Sequence, residues 1–490
     1  MTFTSLDFAI FAVLLTAIYW VLPRRGQNVL LLAGSYVFYG WVHPWFVALI
    51  AVTTAVDYGA ALGMDRQPSH RKAFLRLALV ANLGLLGFFK YFNFFAGNVA
   101  AALAVTGWRV PRAALDVALP VGISFYTFQA LSYVIDVYWR RTPARRSLLD
   151  VAAFIAFFPN LLAGPIMRAS TLLPQMERER RFSAPAARDA VLLLTWGFFK
   201  KLVIADNVGV IANKVFALQS PEFFVLWAGV FAFCIQIYAD FSAYADIARG
   251  VAAWLGVDLM KNFEHPYLAK GPTEFWRRWN ISLSTWFRDY VFLPIAYGLS
   301  DRMSSDRRVL FDSATWAYAG GMILTMLAAG LWHGASWNFV IWGAYHGVLL
   351  ALARVAGFMR GRRRRTRRWL APLQIAGMFG LTNLGWLFFR ETELAQIVRD
   401  LGLSPFRTTL LGRQTGAYLF LLAALYSIPL WVQSLWAEFG GRDFVGAMIR
   451  PEDAPAAWSV GVQALLGGLL FAGILVLHST TSLDFIYFRF

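Results

Sequence analysis

The stretch Phe275-Trp-Arg-Arg-Trp-Asn-Ile-Ser-Leu-Ser-Thr-Trp-Phe-Arg-Asp-Tyr290 is dense in tryptophan and arginine, yet it lies between long apolar segments. Downstream, Leu331-Trp-His-Gly-Ala-Ser-Trp337 sets a histidine in one of the most hydrophobic parts of the chain. An ionisable side chain inside a membrane is costly, so by default it marks a candidate functional site. The two stretches together raise one question, whether Asn280 and His333 form a catalytic pair.

Moving outward, the chain of 490 residues is 58% hydrophobic, 17% aromatic and only 15% charged. A soluble domain is typically about 45–50% apolar and about 25% charged. Apolar runs long enough to cross a bilayer recur along most of the chain. They fall at 6–22, 28–42, 45–63, 76–96, 117–139, 190–217, 223–250, 314–332, 333–352, 370–390, 413–436 and 460–478. This predicts an all-α polytopic membrane protein with about 11–13 transmembrane helices plus re-entrant or interfacial helices. No soluble domain, extended linker or internal repeat is visible, so residues 1–490 read as one transmembrane domain. The piece Phe157-Phe-Pro-Asn-Leu-Leu-Ala-Gly-Pro-Ile166 is too short to span and is interrupted by proline and glycine, which predicts a re-entrant or broken helix.

The formal net charge of +17 would suggest nucleic acid in a soluble protein, but its placement points to a membrane instead. With the N-terminus outside, Arg24, Arg25, Arg66, Arg71, Lys72, Arg76, the 140–188 group, Lys261 to Arg308, Arg354 to Arg368, Arg442 and Arg450 fall on one side. Arg109, Arg112, Arg390, Arg399, Arg407 and Arg489 fall on the other. The positive-inside rule makes the heavier side cytoplasmic. The run Arg362-Arg-Arg-Arg-Thr-Arg-Arg368 reads as a topology anchor that meets anionic lipid, with no nucleic-acid partner expected. The first apolar run has Arg24 and Arg25 after it and no basic residue before it, which reads as a retained span. The lone Cys234 allows no intrachain disulfide.

Of six histidines, His43, His70 and His478 read as surface or interfacial, and His265 as structural. His333 stands apart because Gly330 and Gly334 flank it, leaving room for other backbone or a slim substrate, and Trp332 and Trp337 crowd it. A desolvated imidazole rests neutral, and a neutral imidazole can act as general base. Taken alone, His333 fits either that role or a satisfied core histidine. His346, on the next helical segment, fits a hydrogen bond that positions its neighbours, or a secondary catalytic part. Asn280 carries a donor and an acceptor, suited to holding a carbonyl or a hydroxyl. If 279–288 is helical, Asn280, Ser284 and Arg288 share one face, and Arg288 could meet a phosphate. The alternative is an interfacial amphipathic helix with Trp276, Trp279 and Trp286 as belt residues and Arg277 at the headgroups. Asp240 and Asp246 end one apolar helix, while Lys200, Lys201, Asp206 and Lys214 interrupt another. Either a structural pairing such as Lys200–Asp240 or a substrate contact through Asp240 accounts for them. No metal motif, phosphate-cradling glycine loop or nucleophile elbow is present.

These segments resemble the membrane-bound O-acyltransferase family, most of all its alginate O-acetyltransferase branch. The resemblance runs through Ser35-Tyr-Val-Phe-Tyr-Gly-Trp41, Leu119-Pro-Val-Gly-Ile-Ser-Phe-Tyr-Thr-Phe-Gln129, Phe158-Pro-Asn-Leu-Leu-Ala-Gly-Pro-Ile166 and Phe199-Lys-Lys-Leu-Val-Ile-Ala-Asp206. It continues through Ile235-Gln-Ile-Tyr-Ala-Asp-Phe-Ser242, Trp276-Arg-Arg-Trp-Asn-Ile-Ser-Leu-Ser284, Trp332-His-Gly334 and Phe485-Ile-Tyr-Phe-Arg-Phe490. It implies a ring of tilted helices around a central tunnel, with His333 catalytic and Asn280 as the second functional position. Relatives that move D-alanine carry His at that second position, so Asn280 points to the acetyl branch. The resemblance also implies no bound cofactor, with acetyl-CoA or another acyl thioester as co-substrate. Its other partners would be membrane lipids, a periplasmic SGNH-type acetyltransferase and a polysaccharide, and its location the bacterial inner membrane. Trp276, Arg277, Trp279, Ser284, Arg288, Trp332, Asp240 and His346 are then the candidate substrate-binding residues. D-alanyl transfer, lipid or protein acylation by the same site, and a transporter supported by the buried charges are the rival readings. The absence of inverted repeats weighs against the transporter.

Overall fold

The computed structural model describes residues 1–108, 119–302, 313–360, 368–439 and 456–486. Arg109, Arg112, Arg308, Arg442, Arg450, Arg489 and most of the arginine run at 362–368 lie outside the described residues.

Among the described residues the secondary structure is helical, and each expected apolar run falls on a helix. Seven of these helices are long and apolar enough to cross a membrane: Phe46–Arg66, Pro68–Val105, Phe223–Trp254, Ser313–His333, Trp337–Gly357, Leu410–Phe439 and Val460–Leu477. The all-α polytopic class is therefore the observed one. Two boundaries differ from the sequence reading. The run expected at 76–96 belongs to a longer helix reaching Val105, and the run at 190–217 is divided by a wide π-helical turn at Lys200–Ala205. Such turns often mark functional positions.

The chain divides into two compact units, one of Met1–Val191 with Ile247–Met260, the other of Leu192–Asp246 with Lys261–Phe490. In the first unit, the interrupted piece forms a short helix at Phe158–Leu161 and then irregular chain, all of it buried. Backbone of this kind survives at depth only if its polar groups are met. Ser35 Oγ accepts its Phe158 N–H at 3.1 Å and Asn160 Nδ2 donates to its Pro165 carbonyl at 3.3 Å, while Gln129 ties the piece to its surroundings, its oxygen accepting from Asn160 Nδ2 at 2.6 Å and from the Met167 N–H at 3.3 Å and its amide nitrogen donating to the Phe154 carbonyl. In the same unit Arg180 is buried and donates to Gln27 and Asn28, while Asn28 donates to Asp150 at 2.7 Å.

The second unit holds the residues around His333. The helices Ser313–His333 and Trp337–Arg360 form a tight hairpin with a short turn between them. A Cβ added at Gly330 would lie 2.1 Å from the Phe339 carbonyl oxygen, and one at Gly334 would lie 2.2 Å from the Phe339 ring. The protein itself, not a ligand, occupies the space those two glycines leave. Small residues at a membrane helix contact serve this close approach.

Candidate active site

His333 is the last residue of its helix, 8% exposed, and ringed by aromatic side chains. Trp332 and Trp342 stand edge-on to it with ring centroids 5.0 Å away, and Phe389 at 5.1 Å. Trp332 is itself buried and packs beside Phe287.

His333 lines a cavity of about 500 Å³. Trp276, Arg277, Ser284 and Arg288 line it too, over an apolar floor that includes Met322 and Met326. Arg277 and Arg288 are exposed, and Arg288 holds Asp289 at 2.8 Å. The cavity thus joins a buried imidazole to two cationic side chains through an apolar length. His333 and Trp342 also line a second, much smaller cavity of about 20 Å³, together with Trp279, Trp386, Phe389 and Ile486.

Asn280 sits between these two spaces in sequence, since its neighbour Trp279 lines the small cavity and Ile281 the large one. Asn280 lines neither. Residues 279–288 do not form one helix: Trp279 is extended, Asn280 is left-handed (φ 40°, ψ 59°), and the helix runs only over Ile281–Phe287. Asn280, Ser284 and Arg288 therefore share no helical face. The reason is a distant segment. The Ile281 N–H donates to the Asn262 carbonyl at 2.8 Å, the Ser282 N–H to Asn262 Oδ1 at 3.0 Å, and the Glu264 N–H to the Arg278 carbonyl at 2.9 Å. Asparagine is among the few residues that tolerate the left-handed conformation. The Asn280 side chain is buried at 1% exposure, and among the described residues neither its amide nitrogen nor its oxygen has a hydrogen-bond partner. A buried amide with both atoms unmet calls for an explanation, and a ligand group is one.

The interfacial-belt alternative is also corrected, because Trp279 and Trp286 are buried. Trp279 packs against Trp386 at 4.9 Å and stacks on Phe275. Arg278 anchors the block: it reaches Glu274 at 2.6 Å and Glu438 at 2.9 Å. Burial works against its charge, and the Glu438 and Glu274 carboxylates outweigh that, holding its pKa above the ordinary arginine value.

His346 is buried 5.2 Å from the Trp276 ring and 4.9 Å from the Trp342 ring, and its Nδ1 has no partner among the described residues. It lies behind the tryptophans that line the large cavity. Asp240 lines neither cavity. Lys201, not Lys200, pairs with it, at 2.8 Å, and Lys201 also reaches Asp206 at 2.8 Å, whereas Lys200 pairs with Asp246 at 2.7 Å. Trp342, Asn262 and Ile486 escaped the sequence reading, since no local pattern links them to His333.

In class, this is an integral membrane protein with a buried histidine that lines two cavities. Comparison with known proteins specifies it. The profile of MBOAT, the membrane-bound O-acyltransferase family, matches residues 140–379. The chain is 36% identical to a probable alginate O-acetylase, AlgI, of Pseudomonas putida over the full length of both proteins. It is 40% identical to the probable alginate O-acetylase of Azotobacter vinelandii, over 80% of this chain and 76% of that one. A peptidoglycan O-acetyltransferase of Helicobacter pylori is 31% identical over 78% of this chain and 75% of its own. The chain belongs to the membrane-bound O-acyltransferase family, and it is an O-acyltransferase.

Proposed function

We propose that the chain takes an acetyl group from a cytoplasmic thioester, acetyl-CoA in the first instance, and passes it across the bacterial inner membrane for O-acetylation of an extracytoplasmic polysaccharide. The observation that carries this reading is His333 in one cavity with Trp276, Arg277, Ser284 and Arg288. The exposed arginines suit the phosphates of a coenzyme, because charge-assisted bonds from guanidinium to phosphate are strong and directional. The apolar length suits the arm that carries the thioester.

At His333 the imidazole removes the proton of an acceptor hydroxyl. The hydroxyl oxygen attacks the thioester carbonyl carbon, a C–O bond forms, the C–S bond breaks, and the imidazolium returns its proton to the sulfur. The products are an ester and a free thiol. Asn280 lines neither cavity, and its unmet amide reaches the carbonyl or the attacking hydroxyl through movement of the Trp279–Ile281 turn when the donor binds. Passage from donor to acceptor side needs a way through the protein at His333, as the family's tunnel would supply. Relatives named for alginate and for peptidoglycan support a sugar polymer as final acceptor. A separate periplasmic SGNH-type acetyltransferase would complete the transfer to it.

The test uses sealed membrane vesicles with the cytoplasmic face outward, the polysaccharide and an SGNH-type acetyltransferase inside, and acetyl-CoA, palmitoyl-CoA or an acetylated carrier protein supplied outside. Ester formation inside the vesicles from acetyl-CoA supports the proposal. Preference for palmitoyl-CoA, or solute flux without ester formation, overturns it.

A further inference from the structure

The small cavity beside His333 has a definite size and chemistry. Its volume is about 20 Å³. Roughly 10–15 Å³ of this kind of space holds one water molecule, so there is room for one group of that size and no more. Its walls are Trp279, Trp342, Trp386, Phe389, the His333 imidazole and Ile486, with Ile237 and Phe241 of the helix Phe223–Trp254 completing them. Apart from the imidazole and the indole N–H groups these walls are hydrocarbon, which suits a methyl group.

We propose that this cavity is the acyl-methyl site: it receives the CH₃ of an acetyl thioester whose carbonyl lies at His333, and Ile486 sets the length of acyl chain the enzyme accepts. This rests on acyl transfer at His333 as proposed above. With the donor arm in the large cavity, the carbonyl carbon lies at the imidazole that lines both spaces, and the methyl is the one group left to point into the small one. A propionyl group brings one more methylene than the space admits.

Ile486 stands apart in this wall, because the other residues come from long α-helices or, for Trp279, the turn before Asn280. It belongs to the segment Ser479–Ile486, which is drawn in by named bonds. The Ile486 N–H donates to Asp240 Oδ2, and the Lys201 Nζ stands 4.5 Å from the centre of the Phe485 ring. Phe485 packs edge-on to Tyr244 at 5.1 Å, and the Ser479 N–H donates to the Leu202 carbonyl at 3.1 Å. Gly209 permits the approach of Leu483, since a Cβ there would lie 2.7 Å from its Cδ1. Asp240 and Lys201 are thus positioning residues for the wall.

The experiment measures thiol release by the purified full-length protein with acetyl, propionyl and butyryl donors, each as the CoA and as the carrier-protein thioester, for the wild type, Ile486→Val, Ile486→Ala and His333→Ala. One methylene in an apolar pocket discriminates by roughly 10–200-fold. The wild type is expected to prefer acetyl over propionyl by a factor in that range. Ile486→Ala is expected to raise the propionyl-to-acetyl ratio of kcat/KM about tenfold or more, and Ile486→Val by less. If Ile486→Ala does not fold, the graded shift in Ile486→Val decides. A wild type that takes butyryl as readily as acetyl, or a ratio that stays fixed in a variant still dependent on His333, overturns the inference and leaves acyl transfer standing. Full activity in His333→Ala overturns the reading beneath it.

Discussion

Lys201 and Asp240 form a buried ion pair at 2.8 Å, and the second oxygen of that carboxylate accepts the backbone N–H of Ile486. One pair of charges thus holds in place a residue that lines the cavity at His333. Removing one member of a buried pair leaves the other uncompensated. Lys201→Met should lower stability by about 3–5 kcal/mol. Asp240→Asn keeps an oxygen for the Ile486 N–H and should do less harm. Thermal unfolding in detergent checks both, and an equal loss in the two variants would speak against the role given to Asp240.

Asn280 separates backbone from side-chain requirements. Glycine adopts the left-handed conformation freely, whereas alanine is strained there. Asn280→Gly should fold as well as the wild type and still lose most acetyl transfer, because the amide is gone. Asn280→Ala should lose activity and some stability as well. Wild-type turnover in Asn280→Gly would show that only the backbone turn matters.

The hairpin around His333 depends on the closeness of its helices at Gly330. Gly330→Ala places a methyl group against the Phe339 carbonyl. Overpacking of this kind typically destabilises by about 1–3 kcal/mol, and it would displace Phe339 beside His333. A lowered unfolding midpoint together with reduced turnover is expected, and an unchanged midpoint contradicts the packing described.

The arginines of the large cavity should act on donor binding. The double variant Arg277→Gln/Arg288→Gln should raise KM for acetyl-CoA about tenfold or more, the scale of a lost hydrogen bond to a charged group. S-acetylpantetheine, which lacks the phosphates, should be used equally well by variant and wild type. Equal losses with both donors would remove the phosphate contact from the account.

Much of this was legible along the chain. Apolar runs of spanning length located the helices, because a bilayer demands continuous hydrophobicity that nothing else in the sequence imitates. His333 announced itself as a titratable side chain in apolar company. What stayed hidden depends on long-range register. The turn at Asn280 is fixed by bonds from Asn262, and nothing local to 279–288 reveals it. Lys200 and Lys201 both meet the helix Phe223–Trp254, Lys200 at Asp246 and Lys201 at Asp240, and which of the two lysines takes which carboxylate is a matter of helix register that the local sequence does not display. Ile486 meets His333 across more than a hundred residues of chain, and only the folded structure places it there.

Acetyl transfer by purified His333→Ala, compared with wild type at equal amounts of folded protein, decides whether this imidazole carries the chemistry. A lost general base typically removes about 10²–10⁴-fold of rate. A fall of at least about a hundredfold is expected, with the variant still inserting in the membrane and unfolding at the wild-type temperature. Turnover equal to wild type would contradict it.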